Sequence, residues 1–268
     1  MKVAFVHVAA DSTNPGVCAP VFEDQRFEYI PITYPDEESE DWKLTYRDIP
    51  ARNKEYGRKL SDFLPDKLAA KVVHLDPDFE FYTYCDVGAR GKALAKLKEG
   101  DVLFFVASLA PYNETVYKWH RNKLREYQAG KRDKYLIGAF KVRGVALVRA
   151  FKPMYATREV LAGEVSSEDV RNSQHYRRLK MGEKTSYVLV VGEPSASFLL
   201  DRAFRLTLGS VGPLFVLSKM TRAIFGRNLD SFRGIRWLKQ EVVEEGLGGL
   251  KEAIAELNPE LEDKISGL

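Results

Sequence analysis

The sequence predicts an α+β fold in which helices surround a mixed, partly closed β-sheet or barrel. Three observations carry this expectation. Residues 100–108, GDVLFFVAS, open on a Gly-Asp turn and then run apolar without alternation, the pattern of a strand buried on both faces. Residues 135–148, YLIGAFKVRGVALV, form a second apolar run that returns to pair with the first, and residues 187–191, YVLVV, supply a third.

Read in order, residues 1–8 (MKVAFVHV) form a strand, followed by a loop of turn formers, DSTNPGVCAP. FEYIPIT, residues 27–33, alternates apolar with polar, and Pro31 confines it to an edge or a bulge. An acidic loop over residues 36–41 leads to a helix around 56–63 that Pro65 ends, and short strands at 72–75 and 79–84 flank Asp76-Pro77. A short helix over 92–97 precedes the strand pair, whose connection is helical over 119–127 with its basic side toward solvent. Helices are expected at 157–161, after the cap Ser166, after a cap at Ser195 or Ser197, and, mostly buried, over 213–225. Residues 249–257 close the chain as an amphipathic helix with an acidic face. Neither a repeat nor a low-complexity linker interrupts the sequence. It therefore reads as one compact domain over 1–268, with the core sheet in about 95–192 and a helical C-terminal portion over about 195–268.

At 45% hydrophobic, the 268 residues can build a sizeable core. No apolar run approaches the roughly 18 residues needed to cross a bilayer, and the expectation is a soluble, cytoplasmic protein without a membrane partner. Cys18 and Cys85 show no CxxC or Cys/His spacing, so neither a disulfide framework nor a metal site is expected. The scarcity of Gln and Asn beside abundant Lys, Arg and Glu suggests a thermophile. Charge is segregated: residues 1–110 carry 14 basic against 19 acidic side chains, residues 111–240 carry 25 against 11, and residues 241–268 carry 2 against 8. The central excess predicts a positive field suited to the phosphates of nucleic acid or a nucleotide. A masking role for the acidic C-terminus, or docking on an acidic protein partner, is the alternative.

Four groups of residues could carry chemistry. His7 and Asp11 stand at the end of the first strand and in the polar loop DSTN, where a hydroxyl- and carboxylate-rich loop can receive a polar ligand. HLDPDFEFYTYCD, residues 74–86, packs Asp76, Asp78, Glu80 and Asp86 together; paired carboxylates can do acid/base work, but a turn with water-facing acids is the favoured reading. RNSQHYRR, residues 171–178, gathers Asn172, Ser173, His175, Arg177 and Arg178, in which Asn reads a base edge, His stacks or donates, and Arg clamps phosphate. Finally, Tyr112, Trp119, His120 and Arg121 lie in the basic, aromatic connection and can shape a stacking rim, with Gly138 beside it where backbone approaches a ligand. The candidate acid/base set is His7, Asp11 and His175. Candidate nucleic-acid contacts are Asn172, His175, Arg177, Arg178, Tyr112, Trp119, His120 and Arg121. GxGxxG, GxxxxGK[ST], GxSxG, HExxH and HxE with PCxxC are all absent, so no cofactor is specified.

The segments HVAADSTNPGVCAPVFEDQRFEYIPIT, DPDFEFYTYCD, LKEGDVLFFVASL, YLIGAFKV, HYRR and GEPSASFLLDRAF, in that order over roughly residues 5–205, resemble the nucleotide-modification-associated domains, in particular the third class. That resemblance implies action on, or recognition of, modified bases in nucleic acid. The turn and strand pair also look like PUA-like barrels, including the EVE and ASCH groups, which implies a pocket for a flipped or modified base. In this sequence Cys85 stands where the pattern suggests Gly, and Ser-Gln precedes His175 where Asn-Ala is commoner. Three functions follow as expectations: a protein that binds nucleic acid or a nucleotide and recognises a modified base through a basic, aromatic-lined pocket; an enzyme that alters a nucleobase by general acid/base chemistry; and a non-catalytic partner-binding protein.

Overall fold

A computed structural model of the chain describes residues 1–11, 14–34, 44–152, 155–176, 186–211, 214–219, 221–222, 234–238 and 240–268. The strands, in chain order, are β1 (Val3–His7), β2 (Ala19–Val21), β3 (Ile32–Thr33), β4 (Val73–His74), β5 (Thr83–Asp86), β6 (Val102–Pro111), β7 (Asp133–Lys152), β8 (Tyr155–Gly163), β9 (Tyr187–Gly192), β10 (Phe198–Arg205), β11 (Thr207–Val211), β12 (Leu214–Leu217) and β13 (Ile235–Trp237). The helices are α1 (Asp66–Ala69), α2 (Gly88–Leu94), α3 (Glu114–Trp119), α4 (Leu124–Gln128), α5 (Ser167–Asn172), α6 (Gln240–Leu257) and α7 (Glu262–Ser266).

Nine strands form one mixed sheet along the path β13-β1-β6-β7-β9-β5, with β10, β2 and β8 pairing beside it. The expected pairing of the two long apolar runs is present: β6 lies antiparallel to β7 with Phe105 opposite Gly138. All of β6 from Val102 to Ala110 is buried, which is why the run carries no alternation. The 20-residue β7 is the spine. Its first half is shared by β6 and β10, and its second half by β8 and β9. β1 and β2 both run parallel to β6, with His7 opposite Val106 at the end of β1.

The sheet is mixed as expected, but among the described residues it stays open and forms no barrel. Its terminal strands β13 and β5 pair only with β1 and β9 respectively, so no ladder joins the two edges. Two expected helices are strands. Residues 157–161 lie in β8, and the segment after Ser197 is β10. β10 holds its apolar residues at helix-like spacing because its register on β7 shifts between Leu199 and Phe204, which breaks the alternation a regular strand would show. Of the helix expected over 213–225, residues 214–217 form β12, residues 219, 221 and 222 are helical, and residues 213, 220 and 223–225 lie outside the described residues. Gly138 serves packing instead of ligand approach, since a Cβ there would stand 2.6 Å from the Phe198 carbonyl oxygen and 2.8 Å from the Phe79 ring.

Candidate functional site

β1 ends by delivering His7 to the floor of a cleft of about 380 Å³ lined also by Asp11, Asn14, Thr33, His74, Asp76, Tyr84, Cys85, Asp86, Arg90 and His175. The loop after β1 folds back on itself: Asp11 accepts from the Asn14 amide at 3.1 Å, and the Asn14 carboxamide oxygen accepts from the Thr33 amide at 3.2 Å and the Thr33 hydroxyl at 2.5 Å. The turn chemistry of DSTN thus ties the loop to β3. β3 in turn pairs Ile32 with His74 of β4, which sets His74 across the cleft.

Behind His7 lies a buried polar triangle. Lys134 donates to the Ser108 hydroxyl at 2.6 Å and to His7 Nε2 at 2.9 Å, and Ser108 Oγ is 3.0 Å from the same Nε2. Accepting from the ammonium places the His7 proton on Nδ1, 3.9 Å from the Asp11 carboxylate. Burial, helped by the Lys134 charge, lowers the His7 pKa to about 3, so this imidazole is neutral at pH 7. Burial also pulls Lys134 down to about 8.

The opposite wall holds His74, Asp76 and His175. Asp76 Oδ1 accepts from the Cys85 amide at 3.0 Å, and its Oδ2 is 3.7 Å from His74 Nε2 and 3.4 Å from His175 Nε2. Burial raises the Asp76 carboxyl to about 6 against the opposing pull of His175. His175 follows α5, which Ser166 and Asp169 cap reciprocally and which Arg143 anchors to β7 through Asp169 at 2.6 Å. Beyond α5, Ser173 donates to the Val170 carbonyl at 2.8 Å and accepts from the Tyr187 hydroxyl at 3.0 Å, holding the ring against which His175 packs at 5.2 Å. At the lip, Asp86 accepts from Tyr84 at 2.9 Å and from Arg90 at 2.7 Å.

His7, Asp11 and His175, widely separated in sequence, therefore share one cleft. The other candidates lie elsewhere. Tyr112 packs among Phe22, Tyr56, Phe63 and Tyr117 and borders a second hollow with Tyr135 and Arg205. His120 edges a third with Tyr127, Trp119 is 77% exposed, and Arg121 pairs with Asp66 at 2.7 Å. Asn172 ends α5 half-buried, and Arg177 and Arg178 lie outside the described residues. The basic, aromatic rim is thus spread over separate hollows, while imidazoles and carboxylates dominate the main cleft. Asp76, Asp78 and Asp86 do not face water as expected; each is at most 9% exposed, held by backbone amides or, at Asp86, also by Tyr84 and Arg90.

The profile of nucleotide modification associated domain 3 matches residues 2–240. The chain belongs to this family. No curated protein and no solved structure matches the chain. As a member of nucleotide modification associated domain 3, it has a role connected with nucleotide or nucleic-acid modification. The cleft residues His7, Asp11, His74, Asp76 and His175 all fall within the matched span. Ser108 and Arg90 were not among the candidates, and neither His74, at the head of the acid-rich segment, nor Lys134, in the basic connection, was assigned to the acid/base set. His74 could have been found as the first residue of the acid-rich segment 74–86, whereas Lys134 and Ser108 sit at the ends of paired strands, where a charge or hydroxyl ordinarily faces water.

Proposed function

We propose that the protein is an enzyme acting on a nucleobase or nucleotide held in the cleft, with the hydrogen-bonded pair of His7 and Lys134 as its acid/base group. One observation carries this reading: at the cleft floor a neutral imidazole is bonded to a buried ammonium whose pKa, lowered to about 8 by burial, lies near the range useful for proton transfer. The Lys134 ammonium engages the Nε2 lone pair, which leaves the proton on Nδ1, 3.9 Å from the Asp11 carboxylate. Lys134, with a pKa of about 8, remains an ammonium at neutral pH and can pass a proton through Ser108 or His7. Arg90, about half exposed at the lip, is placed to meet a phosphate. Family membership supports a nucleobase or nucleotide as the substrate class.

The test is to incubate the protein with nucleoside 5′-monophosphates and with single-stranded DNA and RNA, following product mass. Wild-type protein is expected to convert at least one of them, and His7→Gln to lose about 100-fold or more of that turnover, the scale of a lost acid/base group. Turnover that survives both His7→Gln and Asp11→Asn would overturn the assignment.

A second reading has its own observation. Trp119 is exposed at the end of α3, next in sequence to His120, whose hollow Lys123 and Tyr127 also line, and the Lys131 ammonium lies over the Tyr127 ring at 4.0 Å; exposed rings and cations of this kind suit single strands. We propose Trp119 and His120 as nucleic-acid contacts, joined by Tyr112, Arg121, Asn172, Arg177 and Arg178. Affinity for single strands should then fall steeply with salt and weaken in Trp119→Ala, and salt-independent affinity would count against it.

A further inference from the structure

We infer that His74, Asp76 and His175 bind a divalent transition-metal ion of borderline softness, zinc or ferrous iron, whose remaining coordination positions open onto the cleft. One ligand atom from each residue lies within 4.8 Å of the others. Two of the separations are 3.7 Å, from His74 Nε2 to Asp76 Oδ2, and 3.4 Å, from His175 Nε2 to the same oxygen. Metal–ligand bonds of about 2.1 Å set neighbouring ligands about 3.4 Å apart in a tetrahedral shell. The observed distances match that edge, and both exceed the usual N–H···O range.

The surroundings fix the three groups before any ion arrives. The Cys85 amide donates to Asp76 Oδ1 at 3.0 Å and, more weakly, to Oδ2 at 3.3 Å, which fixes the carboxylate with Oδ2 toward both rings. The His175 ring is packed 5.2 Å from both His74 and the Tyr187 ring that Ser173 holds. Such outer contacts orient ligands and tune affinity. All three side chains are more than nine-tenths buried, yet all three line the cleft. Three protein ligands with an open side are the arrangement of reactive metal sites, whereas structural sites close all four positions. Two imidazoles disfavour magnesium and calcium, which take oxygen donors. His74 and Asp76 stand two residues apart, but His175 lies about a hundred residues further on, so no local spacing announces the full set.

Cobalt(II), whose visible d–d bands report low-coordinate N/O ligation, is the probe. Chelator-stripped protein is expected to bind one Co2+ per chain with such bands, and Zn2+ to displace it. His74→Gln and His175→Gln should each weaken binding by about 100-fold or more, beyond the 10–100-fold effect of outer-contact changes. Asp76→Asn, which keeps the side chain's shape, should weaken it too and serves should a histidine variant fail to fold by circular dichroism. The chain has four histidines, so His7→Gln and His120→Gln complete the set and should leave Co2+ binding intact. Absence of Co2+ binding by the wild type, or full affinity in folded His74→Gln, His175→Gln or Asp76→Asn, overturns the site; so does loss in His120→Gln. Because His7→Gln tests the acid/base reading while sparing the metal, the two fail separately.

Discussion

His7 is the residue at which burial, hydrogen bonding and chemistry meet, and its lowered pKa has a consequence for stability. Between its ordinary value of 6.5 and about 3, the unfolded chain holds a proton that the folded chain does not. Its contribution is therefore fully present above about pH 6.5 and is lost as pH falls toward 3, by up to about 1.4 kcal/mol per pH unit. Asp76 acts oppositely: raised from 3.8 to about 6, it binds a proton in the folded state first, and its contribution is lost as pH rises from 3.8 to 6. Urea unfolding of wild type and His7→Gln across pH 4–7 isolates the first effect; the variant should show the flatter or reversed slope, and parallel slopes would contradict a buried neutral His7. Lys134 sets a second window. Where turnover needs its ammonium, activity should decline as pH rises through about 8, and Lys134→Met should remove that limb along with most of the activity. At this scale the sequence was informative where a loop or cap has its own chemistry, as at Asp11 and at Ser166, and silent at Lys134, whose burial depends on strands that pair across the sheet.

Elements tell a similar story. The uninterrupted apolar runs identified β6, β7 and β9 because each is buried on both faces, whereas β8 and β10 were mistaken for helices. β10 shows why: over the register shift its backbone turns from β7 to other partners, with the Asp201 and Arg202 amides donating to Asn258 Oδ1 at 3.0 and 2.7 Å and Ala203 donating to Gln25. Asn258 also donates to the Arg202 and Ile254 carbonyls, both at 3.1 Å, so one side chain joins β10 to the end of α6. Replacing Asn258 with Ala should destabilise the protein by roughly 3 kcal/mol in chemical denaturation, because several buried groups lose their partner together. Gly138→Ala should cost on the order of 1–3 kcal/mol, since backbone on β10 must move to admit a methyl group. Values near zero at either position would mean that β10 packs less tightly than described. The C-terminal helices contribute Leu247, Leu250, Ile254 and Ile265 to the main core, so their deletion should unfold the sheet instead of unmasking a basic surface.

Across the whole molecule, charge and cleft part company. Residues 111–240 carry the basic excess, but among the described residues the main cleft draws Asp11, Asp76 and Asp86 from the acidic first section and only His175 from the basic one. Linear charge counting missed the cleft, because strand order brings positions 7, 76 and 175 together in a way no window along the chain can register. The open sheet makes this possible: β1 sits between β13 and β6 and ends at the cleft, while β4, β5 and the segment after α5 reach it from the other side. The most direct measurement is a crystal structure with a bound nucleoside 5′-monophosphate. Base or phosphate density is expected between His7 and His175; a nucleotide ordered only against Trp119 and Tyr127, with the cleft unchanged, would contradict the cleft as the site.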